Sequence, residues 1–405
     1  MPLPESFRPR LPGILTAGML ALAVSACGGG SLGEKDTGDA GGDGGGTVRV
    51  GLVIPQAGVY TPLGVDMQNG WNLWLDQHDG KMGDYTVETV TADEGEGPDT
   101  GVPAIQRLLT EGDVDALVGI VNSATALGVA EQVTEAETPL LIANAGAGPI
   151  TKDAGSPYVW RTSFTNAQIA AAMGEHLAEE GVGPVYVMAP DYAAGQEVVA
   201  GFIEAFEAGG GTVAGQALTP LGKTQDFQPF LSGAQASGAK AVFVFYAGGE
   251  AVSFVKQYAD FGLKDTLPLY GSGFLTEGGV LAAQGEAAVG VQTALHYSTE
   301  IDNESNKEFV EAYREAYDAL PTVYAVQAYD AANVLARALK ESTDLTGKAI
   351  TDALGGLGTI DDSPRGPWSF NGQTPEQTIY LREVTDEGGT LLNSVVTDLG
   401  VHAQP

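Results

Sequence analysis

A single cysteine, Cys27, stands among 405 residues, so no disulfide framework can hold this chain together. Histidine is nearly as scarce. His78, His176, His296 and His402 show none of the spacings that hold a metal, and neither a metal nor another cofactor is expected. Basic residues are few: 19 Lys and Arg stand against 52 Asp and Glu, and the formal net charge of −33 would repel phosphate backbones and anionic lipid. Nucleic acid is thereby excluded as a partner, and the acidity reads as solubility of an exposed surface. The apolar stretch from Ile14 to Val24 is too short to cross a bilayer. With Arg8 and Arg10 ahead of it, it has the form of a secretory signal. Ser123 lacks the flanking glycines of a nucleophile elbow, having Val121 and Thr125 in their places, and no nucleophile–base pair is apparent, so the chain is not expected to be an enzyme.

What is present begins with Leu22-Ala23-Val24-Ser25-Ala26-Cys27, small residues before a cysteine that resemble a bacterial lipobox. Residues 1–26 are then a lipoprotein signal peptide, and Cys27 carries the lipid that anchors the chain to the outer face of the cell membrane. Residues 27–46 are rich in Gly and Asp and nearly free of apolar side chains, so they cannot offset their own ordering entropy. They form a flexible tether with a reach of roughly 25 Å. The remainder is too long for one ordinary core and predicts two domains.

From Thr47 onward short apolar runs alternate with helical patterns, as in parallel sheets covered by crossover helices. Strands are expected at 48–54, 85–90, 116–120, 139–143, 185–188, 212–214, 241–245 and 269–270, and two more at 378–384 and 391–396. Trp71, Trp74 and Leu75 fall at i, i+3 and i+4, as do Val102, Ile105, Leu108 and Leu109 over a longer stripe, so each set covers a sheet with one helical face. A helix over 303–320 turns Phe309, Tyr313, Tyr317 and Leu320 to one side, and another runs over 324–340. The fold class is α/β.

Ligands of open parallel sheets bind beyond the carboxyl ends of the strands. After the third strand comes Val121-Asn122-Ser123-Ala124-Thr125, where Ser123 is placed to cap a helix whose first N–H groups attract a carboxylate. After the fourth comes Asn144-Ala145-Gly146-Ala147-Gly148-Pro149, a turn of small residues that lets backbone amides approach a ligand. It is no dinucleotide fingerprint, because Thr151 stands where the last glycine would be. Tyr60, Tyr192, Tyr246 and Phe274 follow strands in both halves and are candidate plates of a cleft wall. The acidic loop with Asp93, Glu94, Glu96 and Asp99 reads as solvated, without the ligand spacing of a calcium site.

Taken in order, Gly51-Leu52-Val53-Ile54-Pro55 with Leu63-Gly64 and Gly70, Gly119 with Asn122-Ser123, Asp191-Tyr192-Ala193-Ala194-Gly195, Asp226-Phe227, Val255-Lys256-Gln257 with Gly262-Leu263, and Tyr324-Ala325 with Ala328-Tyr329-Asp330-Ala331 resemble the leucine/isoleucine/valine-binding family of ABC-importer solute-binding proteins. The resemblance implies the type I periplasmic-binding fold: two Rossmann-like lobes with parallel sheets joined by a three-segment hinge, with the ligand in the cleft between them. It implies an N-terminal lobe of residues 47–164 plus 298–364 and a C-terminal lobe of 165–297 plus 365–405. By position it gives Ser123, with Asn122 and Ala124 beside it, the ligand's carboxylate, Asn144 a backbone carbonyl contact, and Gly146 an N–H where family members have a threonine. The acidic residue that grips the α-ammonium in amino-acid-binding members aligns with Gly273, and a cleft tyrosine aligns with Ala194, which argues against a plain amino acid unless Glu277 or Asp191 compensates.

Residues 271–276 and the closing segment from Ser363 to Val384 resemble members that take up aromatic carboxylates. The expected function is capture of a small carboxylated solute, an aromatic carboxylate by preference, by a monomer that closes about its hinge and delivers the solute to ABC permease and ATPase subunits. Uptake of branched-chain or other amino acids, a ligand-sensing subunit of a membrane receptor or kinase, and a secreted hydrolase are the alternatives.

Overall fold

The structure is a computed structural model that describes residues 45–58, 60–152 and 155–405. The signal peptide, Cys27 and most of the tether lie outside the described residues. The first sheet is built from β1 (Thr47–Ile54), β2 (Lys81–Met82), β3 (Tyr85–Asp93), β4 (Ala116–Gly119), β5 (Leu140–Ile142) and β6 (Val159–Arg161), in the order β2-β3-β1-β4-β5-β6. All its pairings are parallel except β2 with β3. Helices α1 (Thr61–Gln77), α2 (Pro98–Glu111), α3 (Ser123–Glu135) and the short α4 (Pro149–Lys152) are interleaved with these strands.

The second sheet starts after α5 (Asn166–Glu179). It runs through β7 (Val185–Pro190), α6 (Ala193–Ala208), β8 (Val213–Thr219), α7 (Gln228–Ala236), β9 (Ala241–Val244), α8 (Gly248–Asp260), β10 (Leu269–Ser272), α9 (Gly279–Gln284) and β11 (Gln292–Leu295). Three helices follow, α10 (Glu304–Tyr317), α11 (Val323–Glu341) and α12 (Gly347–Gly356), and then β12 (Trp368–Asn371), β13 (Thr374–Glu387) and β14 (Thr390–His402). The order is β12-β13-β11-β10-β9-β7-β8, with β14 also on β13. The final three strands pair antiparallel, unlike the rest. Strand β11 and helix α12 were not read from the sequence, and Leu320 lies beyond α10, which stops where Asp318 turns to φ 52°.

Helix α11 comes after the second sheet in sequence yet packs against α1 of the first. Its residues from Val323 to Leu339 are almost all buried, and a Cβ added at Gly70 of α1 would stand 2.0 Å from the Ala325 carbonyl oxygen. Only glycine lets the two helices cross so closely. The chain therefore passes between the sheets three times, over residues 162–165, 296–303 and 357–367. Arg365 joins two of these passages: its guanidinium donates to the carbonyls of Thr162 (2.7 Å) and Ser163 (3.1 Å) and to Gln377 Oε1 (2.7 Å). Its Nε lies 2.9 Å from the Asp330 carboxylate of α11, and both side chains are buried.

Candidate functional site

The turn after β4 is set by two unusual residues. Gly119 has φ +133°, and a Cβ there would stand 2.0 Å from the Val53 carbonyl oxygen. Ile120 follows with φ 69°, a left-handed conformation that a β-branched side chain rarely adopts. It is held there because its N–H donates to Val53 O (2.9 Å) and its carbonyl accepts from Ala145 N (2.9 Å). The turn throws Val121, Asn122 and Ser123 past the carboxyl edge of the sheet.

Beneath them lies Glu94, which is not part of a solvated loop as the sequence suggested. It is fully buried, and its carboxylate accepts from the backbone N–H groups of Val121 and Asn122, each at 2.8 Å. Burial pushes its pKa up to about 7, against the lowering effect of those two donors. The helix cap is also displaced by one residue. Asn122, in extended conformation, caps α3 by accepting from Ala124 N (2.9 Å) and Thr125 N (3.3 Å). Ser123 is the first helical residue, too far along to reach those amides, and its Oγ instead accepts from Ala147 N at 3.2 Å. Among the described residues its own O–H has no acceptor.

That bond joins the first loop to the second. Gly146 is buried, and a Cβ there would meet Asn166 Oδ1 at 2.5 Å and Phe164 Cε2 at 2.6 Å, so a threonine could not occupy the position. The Asn144 side chain donates to Gln327 Oε1 (2.7 Å), and Gln327 Nε2 lies 3.2 Å from His296 Nε2. Under the loop, the guanidinium of Arg161 donates to the carbonyls of Ala145, Ala147 and Phe164.

Ring faces gather opposite and below. Phe274 is buried with its centroid 4.9 Å from that of Phe164 and 6.3 Å from that of Tyr324, and Phe164 also stacks on His296 at 5.7 Å. Tyr60 and Tyr192 are half-buried at the starts of α1 and α6, and Tyr192 stacks on Phe245 at 6.3 Å. Burial first raises the pKa of both tyrosines; the charges of Glu94, Glu96 and Glu250 add to it at Tyr60, and those of Tyr60 itself, Glu250 and Glu197 at Tyr192. The two therefore share one electrostatic neighbourhood although one follows β1 and the other β7.

Tyr246 also feels the charge of Glu250, but its ring packs away from theirs. It is fully buried against Phe227 and Phe254, with its hydroxyl 3.2 Å from Thr219 Oγ1. Successive residues of a strand point to opposite faces. Phe243 and Phe245 enter the larger core while Val242, Val244 and Tyr246 enter the other, so Phe245 takes the place expected of Tyr246.

Gly273 begins a buried 3-10 turn, and a Cβ added to it would lie 2.5 Å from Leu295 Cβ and 2.7 Å from Arg382 Nη2. Its carbonyl accepts from Arg382 at 3.1 Å. Glu277 is ion-paired to Arg382 (2.9 Å) and accepts from Val323 N (2.8 Å). Asp191 is exposed and accepts from Gln196 at 2.9 Å. Of the two carboxylates that could have replaced the missing acid at position 273, Glu277 is paired to Arg382 and Asp191 is exposed, and a guanidinium fills that space. Phe164, Phe245, His296, Tyr324, Arg161 and Arg382 were not read as site residues from the sequence, although Tyr324 stood among those that carry the resemblance. Phe164, Phe245 and His296 each come within three residues of a strand end, which is the signal that could have marked them.

The sequence matches the periplasmic binding protein family over residues 47–390. It is 32% identical over 367 residues to a Leu/Ile/Val-binding protein homolog 6 of Brucella melitensis biotype 1, covering 88% of this chain and 93% of that one. Among solved structures it is similar to a solute-binding protein of an R. palustris ABC transporter in complex with benzoate, with TM-score 0.80, 34% identity, and 88% and 97% of the two chains covered. It is also similar to one from Rhodopseudomonas palustris BisB5 in complex with 3,4-dihydroxybenzoic acid, with TM-score 0.82, 32% identity, and 89% and 99% covered.

Proposed function

Given that this chain belongs to the periplasmic binding protein family, as a solute-binding protein of an ABC transporter, we propose that it captures an aromatic monocarboxylate between its lobes and surrenders it to the membrane permease. The carboxylate would take the Ser123 hydroxyl and the Gly146 N–H, near Asn122, Ala124 and the Asn144 carbonyl. The ring would lie among Tyr60, Tyr192, Phe245 and Phe274. The observation that carries this reading is the Leu295 and Arg382 side chains packed where an ammonium-gripping acid would have to stand at position 273. An α-ammonium there would be buried beside a guanidinium whose neighbouring carboxylate, Glu277, is already paired to it, at a cost of several kcal/mol. Benzoate bound to a relative of 34% identity agrees with it.

Closure is a hinge motion of a monomer between a lobe of residues 47–164 plus 298–364 and one of 165–297 plus 365–405, with the ligand stabilising the closed form. Lipid on Cys27 would hold the protein at the outer membrane face. Cys27→Ser is expected to free the chain from the membrane fraction, and its continued sedimentation with membranes would refute the anchor.

The ligand is tested by thermal shift and calorimetry with benzoate, 4-hydroxybenzoate and leucine, since a ligand of the folded state alone raises the melting temperature. The two aromatic acids should stabilise the protein and leucine should not; the reverse order would overturn the ligand. Ser123→Ala should weaken benzoate binding roughly 10- to 150-fold, the worth of about 1.5–3 kcal/mol for a hydrogen bond to charge.

A further inference from the structure

We infer that Arg161, which lies behind the cleft wall, makes the site select an anion by charging the peptide that ends in the Gly146 N–H. The inference deepens the aromatic-carboxylate reading and rests on it. Arg161 ends β6 and is completely buried. Its Nη1 donates to the carbonyls of Ala145 and, at 3.0 Å, Phe164; its Nη2 donates to the Ala147 carbonyl at 2.6 Å and Thr151 Oγ1 at 3.4 Å. The two other arginines of the deep interior, Arg365 and Arg382, each have a carboxylate at 2.9 Å. Among the described residues Arg161 forms no such ion pair. A buried cation whose direct partners are all neutral is costly, and burial lowers its pKa to about 9 against the opposing charge of Glu197.

The two site-loop carbonyls it grips belong to two peptides. In a trans peptide the N–H points opposite to the C=O, so a positive charge on the oxygen strengthens the donor at the far side. The peptide from Ala147 ends in the Gly148 N–H, and this donates to the Glu197 carboxylate at 3.3 Å. Glu197, on α6 of the other sheet, also accepts from Asn166 Nδ2 at 2.8 Å. One of the two peptides is therefore already closed by a carboxylate.

The other peptide, from Ala145, ends in the Gly146 N–H, for which the described residues provide no acceptor. It lies beside the Ala147 N–H that holds the Ser123 hydroxyl, and against Phe164. A ligand carboxylate completes there the arrangement that Glu197 completes one peptide further on. The surrounding charge makes this device necessary. On a chain of net charge −33, a cation at the surface would be met by the protein's own acids, whereas one sealed behind the main chain stays available to an incoming anion.

Arg161 is a positioning residue, and the test separates charge from structure. Benzoate and its neutral isostere benzamide are titrated calorimetrically into the full chain and into Arg161→Gln and Arg161→Lys. The full chain should prefer benzoate. Arg161→Gln should lose at least about 30-fold in benzoate affinity while benzamide changes less than about 3-fold, and Arg161→Lys, whose ammonium cannot span the same carbonyls and loses charge more readily when buried, should retain only part of the preference. Equal weakening of both ligands by Arg161→Gln, or a preference that survives it, would overturn the inference alone. A full chain that binds neither benzoate nor benzamide would overturn the ligand reading and the inference with it.

Should Arg161→Gln fail to fold, carboxyl-labelled benzoate bound to the unmodified protein is titrated by NMR. A bound carboxyl with a pKa below that of free benzoate is expected, and one equal to or above it would refute the role of Arg161.

Discussion

Asp330→Ala is expected to lower the free energy of unfolding by about 3–5 kcal/mol, because it leaves the Arg365 guanidinium buried without its counter-charge. Arg365 lies at the junction of the passages between the two sheets: it holds Thr162 O and Ser163 O of one passage, belongs to another, and lies 4.2 Å over the Trp368 ring. Asp330 also accepts from Ser363 Oγ at 2.8 Å, so its loss releases a second group of the same passage. Urea unfolding followed by tryptophan fluorescence gives the difference, and Asp330→Ala combined with Arg365→Met should recover much of it. A midpoint equal to that of the unmodified chain would mean that the pair contributes nothing.

The second large effect is expected at Gly119. Gly119→Ala combines a φ of +133° with a Cβ only 2.0 Å from a backbone oxygen of β1, which cannot retreat without breaking the β1–β4 ladder. Strain and crowding together should cost about 3–5 kcal/mol. Gly80→Ala is the companion that isolates strain, since Gly80 has φ +69° and open space around it. It should cost only about 1 kcal/mol. Equal losses in thermal unfolding for the two variants would show that crowding at Gly119 is irrelevant.

The alternation of strands and helices was legible because burial imposes a period of two on one and 3.6 on the other. Which side of a strand faces the cleft was not. Val242 to Tyr246 is apolar at every position because β9 is covered on both faces, so its pattern holds no sign of whether Phe245 or Tyr246 meets Tyr192. Asn122 and Ser123 are both good caps, and the choice between them was made by the Gly119–Ile120 turn, a backbone conformation rather than a pattern. Glu94 and Arg161 were hidden for a common reason: most of their partners are main-chain N–H and C=O groups, which no residue type announces.

Of the two donors proposed for the ligand's charge, the Gly146 N–H is a main-chain atom, and the Ser123 hydroxyl is steadied by another, the Ala147 N–H. The ring side is made of replaceable side chains. Point substitutions can therefore redraw the shape and polarity of the aromatic pocket while leaving the grip on the acid group in place. Descendants of this scaffold should diversify among acids much more readily than they abandon acids altogether.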